Sequence, residues 1–363
     1  MLMVTRMTGF IAAFMVTLLI TSCSLEPGTK KSAPAMTPIA PTSTSSAAST
    51  EVKQQVAMFK EPFTGLLSEE KNDSRPLLVM VNNHPSARPQ SGLSYADVLY
   101  ESLAEGEVTR IAALYQSAKA NFTIGPVRSI RPYFIDLGKI YDAVLIHAGG
   151  SPDAYTQLEE QKLDHLDEIT NAGRFFWREA FRKAPHNLYT GLVKIRMGTE
   201  KLGLRNEYMA TQAIPAYVPE NADKLGELSS GMRITFLLKS YAVSYTYDAG
   251  LKLYKRFVND VPHLDLSNNE QLAASNVVVL AAEHVILDNE GRRDIKMIGS
   301  GRGYLFQRNI AQPIEWRKSD VFDRFHLYRD GKEIGLFPGK THYLIVPNKP
   351  SLEEHLTIQS EAP

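Results

Sequence analysis

The chain has 363 residues, with 40 Lys and Arg against 40 Asp and Glu, and 44% of it is hydrophobic. The balanced charge gives no basis for nucleic-acid binding or for electrostatic adhesion to a membrane, and the composition is that of an ordinary globular protein. Cys23 is the only cysteine, which excludes an internal disulfide and a thiolate metal site.

The first 22 residues carry one basic residue, Arg6, and then an apolar run from Phe10 to Ile20. That run has the length of a signal-peptide core and falls short of the roughly 20 residues needed to span a bilayer. It ends in Leu19-Ile20-Thr21-Ser22-Cys23, which resembles a lipobox. The resemblance implies that residues 1–22 are a lipoprotein signal peptide, cleaved after a diacylglyceryl group is transferred to the Cys23 thiol. Two acyl chains anchor a protein stably where one does not, so the expected location is the extracytoplasmic face of the cell membrane. Residues 23–60 are rich in Pro, Ser, Thr and Ala and are expected to form a disordered tether.

Residues 61–214 mix strand and helix patterns and predict an α/β or α+β domain. Strands are expected at Pro76–Val81, Asp97–Tyr100, Val108–Tyr115 and Ala143–His147, from short apolar runs. Helical spacing of Phe134, Leu137 and Ile140 predicts a helix over Tyr133–Tyr141. Ser151 and Pro152 predict the start of another, to Lys162. The polar stretch 215–231 reads as a linker. Residues 232–350 are expected to form a mainly β domain of eight or more strands. Asp248-Ala249-Gly250, Asp288-Asn289-Glu290-Gly291 and Asp330-Gly331 mark turns between strand candidates. Residues 351–363 read as a C-terminal tail, and two stable halves are expected if the linker is cut.

Five segments of the first half are dense in turn formers and functional side chains: Asn82–Gly92, Glu101–Arg110, Gly125–Pro132, His147–Pro152 and Lys183–Thr190. Three of them follow strand candidates, where α/β folds assemble sites. The strings RPLLVMVNNHPSARPQSGLSYADVLYE, EGEVTRIAALYQS, IGPVRSIRPYF, YDAVLIHAGGSP and KAPHNLYT resemble the YerB-like lipoprotein family of Gram-positive envelopes, as do YDAGLKLYKR, IGSGRGYLF and EWRK in the second half. The resemblance covers about Arg75 to Asn348. It implies an N-terminal and a C-terminal domain, and an envelope location, without a reaction. It also implies a small residue where Glu107 stands, so Glu105 is the stronger candidate of the pair.

Arg128 and Arg131 flank Ser129 in a loop leading into a helix, where arginine forks and helix N-termini hold anions. With Arg110, His147, His186 and Asn187 they make a candidate binding site for an acidic group. Alternatively, the arginines pair internally with Glu101 or Glu105. Glu101 and Glu105, with Asp97 nearby, also admit a glycosidase pair, and Ser151 with His186 a nucleophile pair, although no G-x-S-x-G pattern is present. No metal-ligand spacing occurs among the histidines, no cofactor is expected, and Gly299–Gly303 reads as a turn in a β domain rather than a phosphate loop. The expected role is an envelope lipoprotein that binds a cell-wall component or partner protein. The alternative is a hydrolase acting on a wall glycan or acidic polymer through the polar loops.

Cys23→Ala should leave the precursor unprocessed or release the protein to the medium. Recovery of the mature variant in the membrane fraction would overturn the anchor.

Overall fold

The strand Asn276–Ile286 shows how the fold is organised. Val277, Val279 and Ala281 join one core cluster, and Val278, Leu280 and Ala282 join another. Successive side chains point to opposite faces of a strand, so this apolar run marks a sheet covered on both sides. The computed structural model describes residues 58–209, 214–223 and 225–360. Cys23 and nearly all of the tether lie outside them.

That strand belongs to a thirteen-stranded mixed sheet. Across it run Lys332–Glu333, His326–Arg329, Ile310–Lys318, Gly299–Gln307, Asn276–Ile286, Thr341–Pro347, Val98–Glu105, Val108–Tyr115, Leu77–Asn82, Val144–His147 and His165–Asp167. Glu227–Leu228 and Arg293–Lys296 pair off this path. Thr341–Pro347 joins the two halves of the chain, parallel to Asn276–Ile286 on one side and to Val98–Glu105 on the other. A smaller, six-stranded sheet holds Val261–Pro262, Leu253–Val258, Ala242–Asp248, Gly231–Thr235 and Leu356–Gln359, with Ala273–Ala274 off the path.

Helix α1, Pro132–Ile140, starts on a proline and buries Phe134, Leu137 and Ile140. They pack with Leu78 and Tyr100 of the first half and with Val278, Trp316 and Phe325 of the second. Helix α2 is Pro152–Glu160, capped by Ser151 Oγ, which accepts from the Ala154 amide at 3.3 Å. Helix α3, Leu192–Lys201, covers the other face, where Ile195 meets Leu77, Val79 and Ile146. The small sheet packs on the large one through Met232, Ile234, Val243 and Tyr245 against Val277, Val279, Leu344 and Leu103. Each such side chain contributes roughly 1.5–3 kcal/mol when fully buried, and Leu103 places the first half inside a core made mostly by the second.

The expected classes hold: mixed α and β in the first half, strands in the second. The details differ in ways that have causes. In Asn276–Ile286 an apolar first part and a more polar second part form one continuous strand, because pairing with Arg293–Lys296 carries it through the polar Glu283. Helix α3 lacks a strong apolar stripe, burying only Leu192, Ile195, Gly198 and Thr199. The segment expected as a tail is ordered as far as residue 360. A capping box of Ser351 and Glu354 starts the short helix α4, Leu352–His355, and Leu356–Gln359 then pairs with Gly231–Thr235. The stretch 215–231 is tied to the large sheet, with Val218 donating to the Leu336 carbonyl and Glu227–Leu228 paired with Ile310 and Ala311. Residues from Gln55 onward form one compact unit.

A protease site inserted between Pro219 and Ala222 tests this join. Once cut, the two fragments should co-elute in native gel filtration and part only in denaturant, because the Thr341–Pro347 ladder and two shared cores still bind them. Separation in native buffer would mean that each half is held by its own core.

Candidate functional site

Leu77–Asn82 and Val98–Glu105 are each antiparallel to Val108–Tyr115 and so run the same way. Val144–His147 is parallel to Leu77–Asn82, and His165–Asp167 to Val144–His147. Asn82, Glu105, His147 and Asp167 therefore end strands along one edge of the sheet, the edge where such sheets place ligands. The loop 125–131 is laced along that edge. Its Pro126 carbonyl accepts from the Asn82 amide (2.8 Å), its Arg128 amide donates to Met80 O (2.8 Å), and its Ile130 amide donates to Gly149 O (3.0 Å).

The candidate residues fall into four groups. In the first, Glu105 holds two arginines. Arg110 reaches it with both guanidinium ends, at 2.8 and 3.2 Å, and also donates to Ser129 O at 2.8 Å. Arg131 pairs with Oε1 of the same carboxylate, the oxygen that Arg110 Nη1 also reaches. Burial holds the Arg110 pKa down at about 10, so it is still charged at neutral pH.

The second group contains Arg128 and His186. Arg128 is half-buried and, unlike Arg110 and Arg131, has no carboxylate partner among the described residues. Burial and then the nearby Arg110 lower its pKa. His186 stacks on His84, with ring centroids 4.4 Å apart. Asn82 Oδ1 accepts from the His84 amide at 3.0 Å, which orients its Nδ2 as donor to His186 Nδ1 at 2.9 Å. His84 Nδ1 in turn accepts from the Ser86 amide at 3.1 Å. Each imidazole therefore accepts at Nδ1 and keeps Nε2–H as a free donor. Burial and then the charges of His84, Arg128 and Arg182 lower the His186 pKa, which marks the area as electropositive.

The third group removes His147 from the site. It is 0% exposed. Its Nδ1 donates to Gly149 O at 2.9 Å, and its Nε2 lies 3.1 Å from His165 Nδ1. Burial holds its pKa down at about 4, so it is neutral at physiological pH. Its neighbour Asp167 accepts from the Gly149 amide and Tyr155 hydroxyl, both at 2.8 Å. Together they shape the Gly149-Gly150 turn.

The fourth group is Glu101 and Arg256, each side chain 2% exposed, paired at 2.5 Å in the interior. Asn83, Thr109 and Tyr241 donate to the carboxylate at 3.0, 2.7 and 2.5 Å. Arg256 also donates to Tyr245 (2.7 Å) and His263 (3.0 Å). Asn187 belongs to none of these groups. It bridges a hairpin, with Nδ2 donating to Glu179 O at 3.0 Å.

Sequence reading thus named Arg128 and His186 but missed His84, Asn82, Arg182 and Arg256. His84 follows a strand end, a usable signal, whereas nothing local distinguishes Arg182 or Arg256. Ser151 caps α2, and His186 is bound elsewhere. Asp97 is engaged by the Gln116 and Ser117 amides at 2.6 and 2.9 Å. In strand Gly299–Gln307, Gly301 and Gly303 answer to crowding: a Cβ on Gly301 would lie 2.6 Å from Trp316 Nε1 and 2.7 Å from Ala281 O, and one on Gly303 2.4 Å from Val279 O.

The fold and its strand-edge loops are those of a described family. Residues 63–205 match "Protein of unknown function (DUF3048) N-terminal domain", residues 232–343 match the corresponding C-terminal domain, and the chain belongs to that family. The Bacillus subtilis (strain 168) protein named "Putative lipoprotein YerB" is 38% identical over 293 residues, 80% of this chain and 87% of that protein. The crystal structure of YerB from Bacillus subtilis matches with a TM-score of 0.74 at 36% identity, over 83% of this chain and all of that one. The resemblance read from the sequence strings is therefore borne out.

Arg256→Met should destabilise the fold by about 3–5 kcal/mol, because it leaves Glu101 buried without its cation. The Arg256→Met/Glu101→Leu double variant should recover much of that loss in a denaturant titration. A double variant no more stable than the single would mean that the pair is not the source.

Proposed function

We propose that this protein is a lipid-anchored envelope protein, held to the membrane through Cys23. In this reading its folded body binds a phosphate or carboxylate of a cell-wall polymer at Arg128 and the stacked His84–His186 pair. The anchor is supported by the lipobox and by the name of the YerB relative. The binding role rests on one observation: Arg128 is half-buried near other cations and has no carboxylate among the described residues, while its neighbours Arg110 and Arg131 share Glu105, whose single charge offsets only one of theirs. A partly desolvated guanidinium without a counter-charge is unfavourable, and an anion relieves it. The two free Nε2–H donors suit the same oxygens. The engagement of Glu101, Glu105 and Asp97 in internal bonds favours binding over glycoside hydrolysis, which needs two carboxyl groups facing the substrate.

Polyglycerol phosphate chains serve as the probe. Arg128→Ala should weaken their binding roughly ten- to a hundred-fold, the loss of a charge-assisted bond, with Tm unchanged. Arg131→Ala should instead lower Tm, since it removes one of the two guanidinium groups that hold Glu105. Equal binding by wild type and Arg128→Ala would sink the site.

A further inference from the structure

Beside the cationic cluster lies a cleft of about 380 Å³ lined by Phe181, Tyr189, Glu179, Asn121, Thr123 and Ser267, among others. We propose that it is a subsite for a sugar ring, so that the ligand is an acidic glycan with its ring here and its anionic group at Arg128. The anionic part rests on the reading above; the sugar subsite stands on the cleft alone.

Several observations point the same way. The volume lies within the roughly 300–1,000 Å³ of small-ligand sites. Phe181 is 60% exposed, yet its loop is held in place. The adjoining Arg182 donates to the Ala87 and Pro89 carbonyls, and its guanidinium carbon lies 5.3 Å from the Phe181 ring centre. An exposed aromatic ring on an anchored loop offers a flat face to the C–H side of a pyranose at little entropic cost. Glu179 is oriented too, accepting from Trp177 Nε1 at 2.6 Å with one oxygen while its amide donates to Asn187 O at 2.8 Å. Its second oxygen is left to accept from ring hydroxyls. Tyr189 also lines the cleft, contributing its buried aromatic ring as an apolar wall. Asn121, Thr123 and Ser267 add polar groups at the rim.

A sugar ring matches this lining because it has an apolar face and a polar equator. A fatty chain would leave Glu179 unmet. Arg182 connects the two regions: it follows Phe181 in the chain and donates to the Ala87 and Pro89 carbonyls of the loop that carries His84. It also gives Asn187 a positioning role, through the hairpin that carries Glu179.

The test uses full-length protein in detergent micelles and two probes: a neutral tetramer of N-acetylglucosamine, and a tetrasaccharide alternating glucuronate with N-acetylglucosamine. Both should bind in saturation-transfer NMR and calorimetry, the acidic one more tightly. Phe181→Ala should weaken both about five- to ten-fold, the order expected for one aromatic contact, with Tm unchanged because the ring is exposed. Arg128→Ala should weaken only the acidic probe. The sugar subsite is overturned if wild type binds neither tetrasaccharide at millimolar concentration, or if Phe181→Ala leaves both affinities unchanged. Loss of neither probe in Arg128→Ala would instead overturn the anion reading and leave the sugar subsite standing.

Discussion

The Glu101 carboxylate and the Arg256 guanidinium meet inside the protein, on elements from opposite halves of the chain. A charge in that position is tolerable only if it is paired and its remaining valences are met. Here they are met on both sides, by Asn83, Thr109 and Tyr241 on the carboxylate and by Tyr245 and His263 on the guanidinium. The network extends through His263 to Gln90, whose amide donates to Asn82 O and Asn83 Oδ1 at 3.0 and 2.9 Å. The pair therefore sets how the small sheet seats on the large one, and it also clamps the ends of the loop that carries His84. The geometry of the half-buried imidazole pair depends on an ion pair buried in the core.

The same economy governs the strand edge. Loops 101–110, 125–131 and 147–151 lie side by side, yet their charged groups differ in state. Glu105 pairs with both Arg110 and Arg131, and Asp167 with neutral His147 fixes the glycine turn. These contacts hold the backbone where the Arg128 amide can bond to Met80 O. Arg128, left without a carboxylate, is the group whose charge is available. One arginine of three at this edge is thus kept for an outside partner by the pairing of the other two.

The two family segments, 63–205 and 232–343, do not each close on a separate sheet. The strand Thr341–Pro347 enters beside Val98–Glu105, and α1 packs on residues of both segments. A parallel pair needs a long crossover, and here everything between Glu105 and Thr341, from both halves of the chain, serves as that connection. The arrangement gives the strand-edge loops a wide, rigid base, and loops on such a base position side chains well.

Much was legible in the sequence because it is local. Period-two alternation, Ser151-Pro152 ahead of a helix and the Asp330-Gly331 turn are signals that neighbouring residues carry through steric and hydrogen-bonding rules, and they placed most elements correctly. The strings that resemble the family did the same for the chain as a whole. Arg128 and His186 were also visible, as polar residues in glycine- and proline-bounded loops. What could not be read was pairing over distance. Glu105 and Arg131 are 26 residues apart, and Glu101 and Arg256 are 155 apart. No local rule says which arginine finds a carboxylate and which does not, and the roles of Arg110, Arg131 and His147 turned on that. The sequence by itself determined the kinds of element and the stock of charged groups; the tertiary structure alone decided which charges cancel, because cancellation depends on separations in space that chain order does not encode.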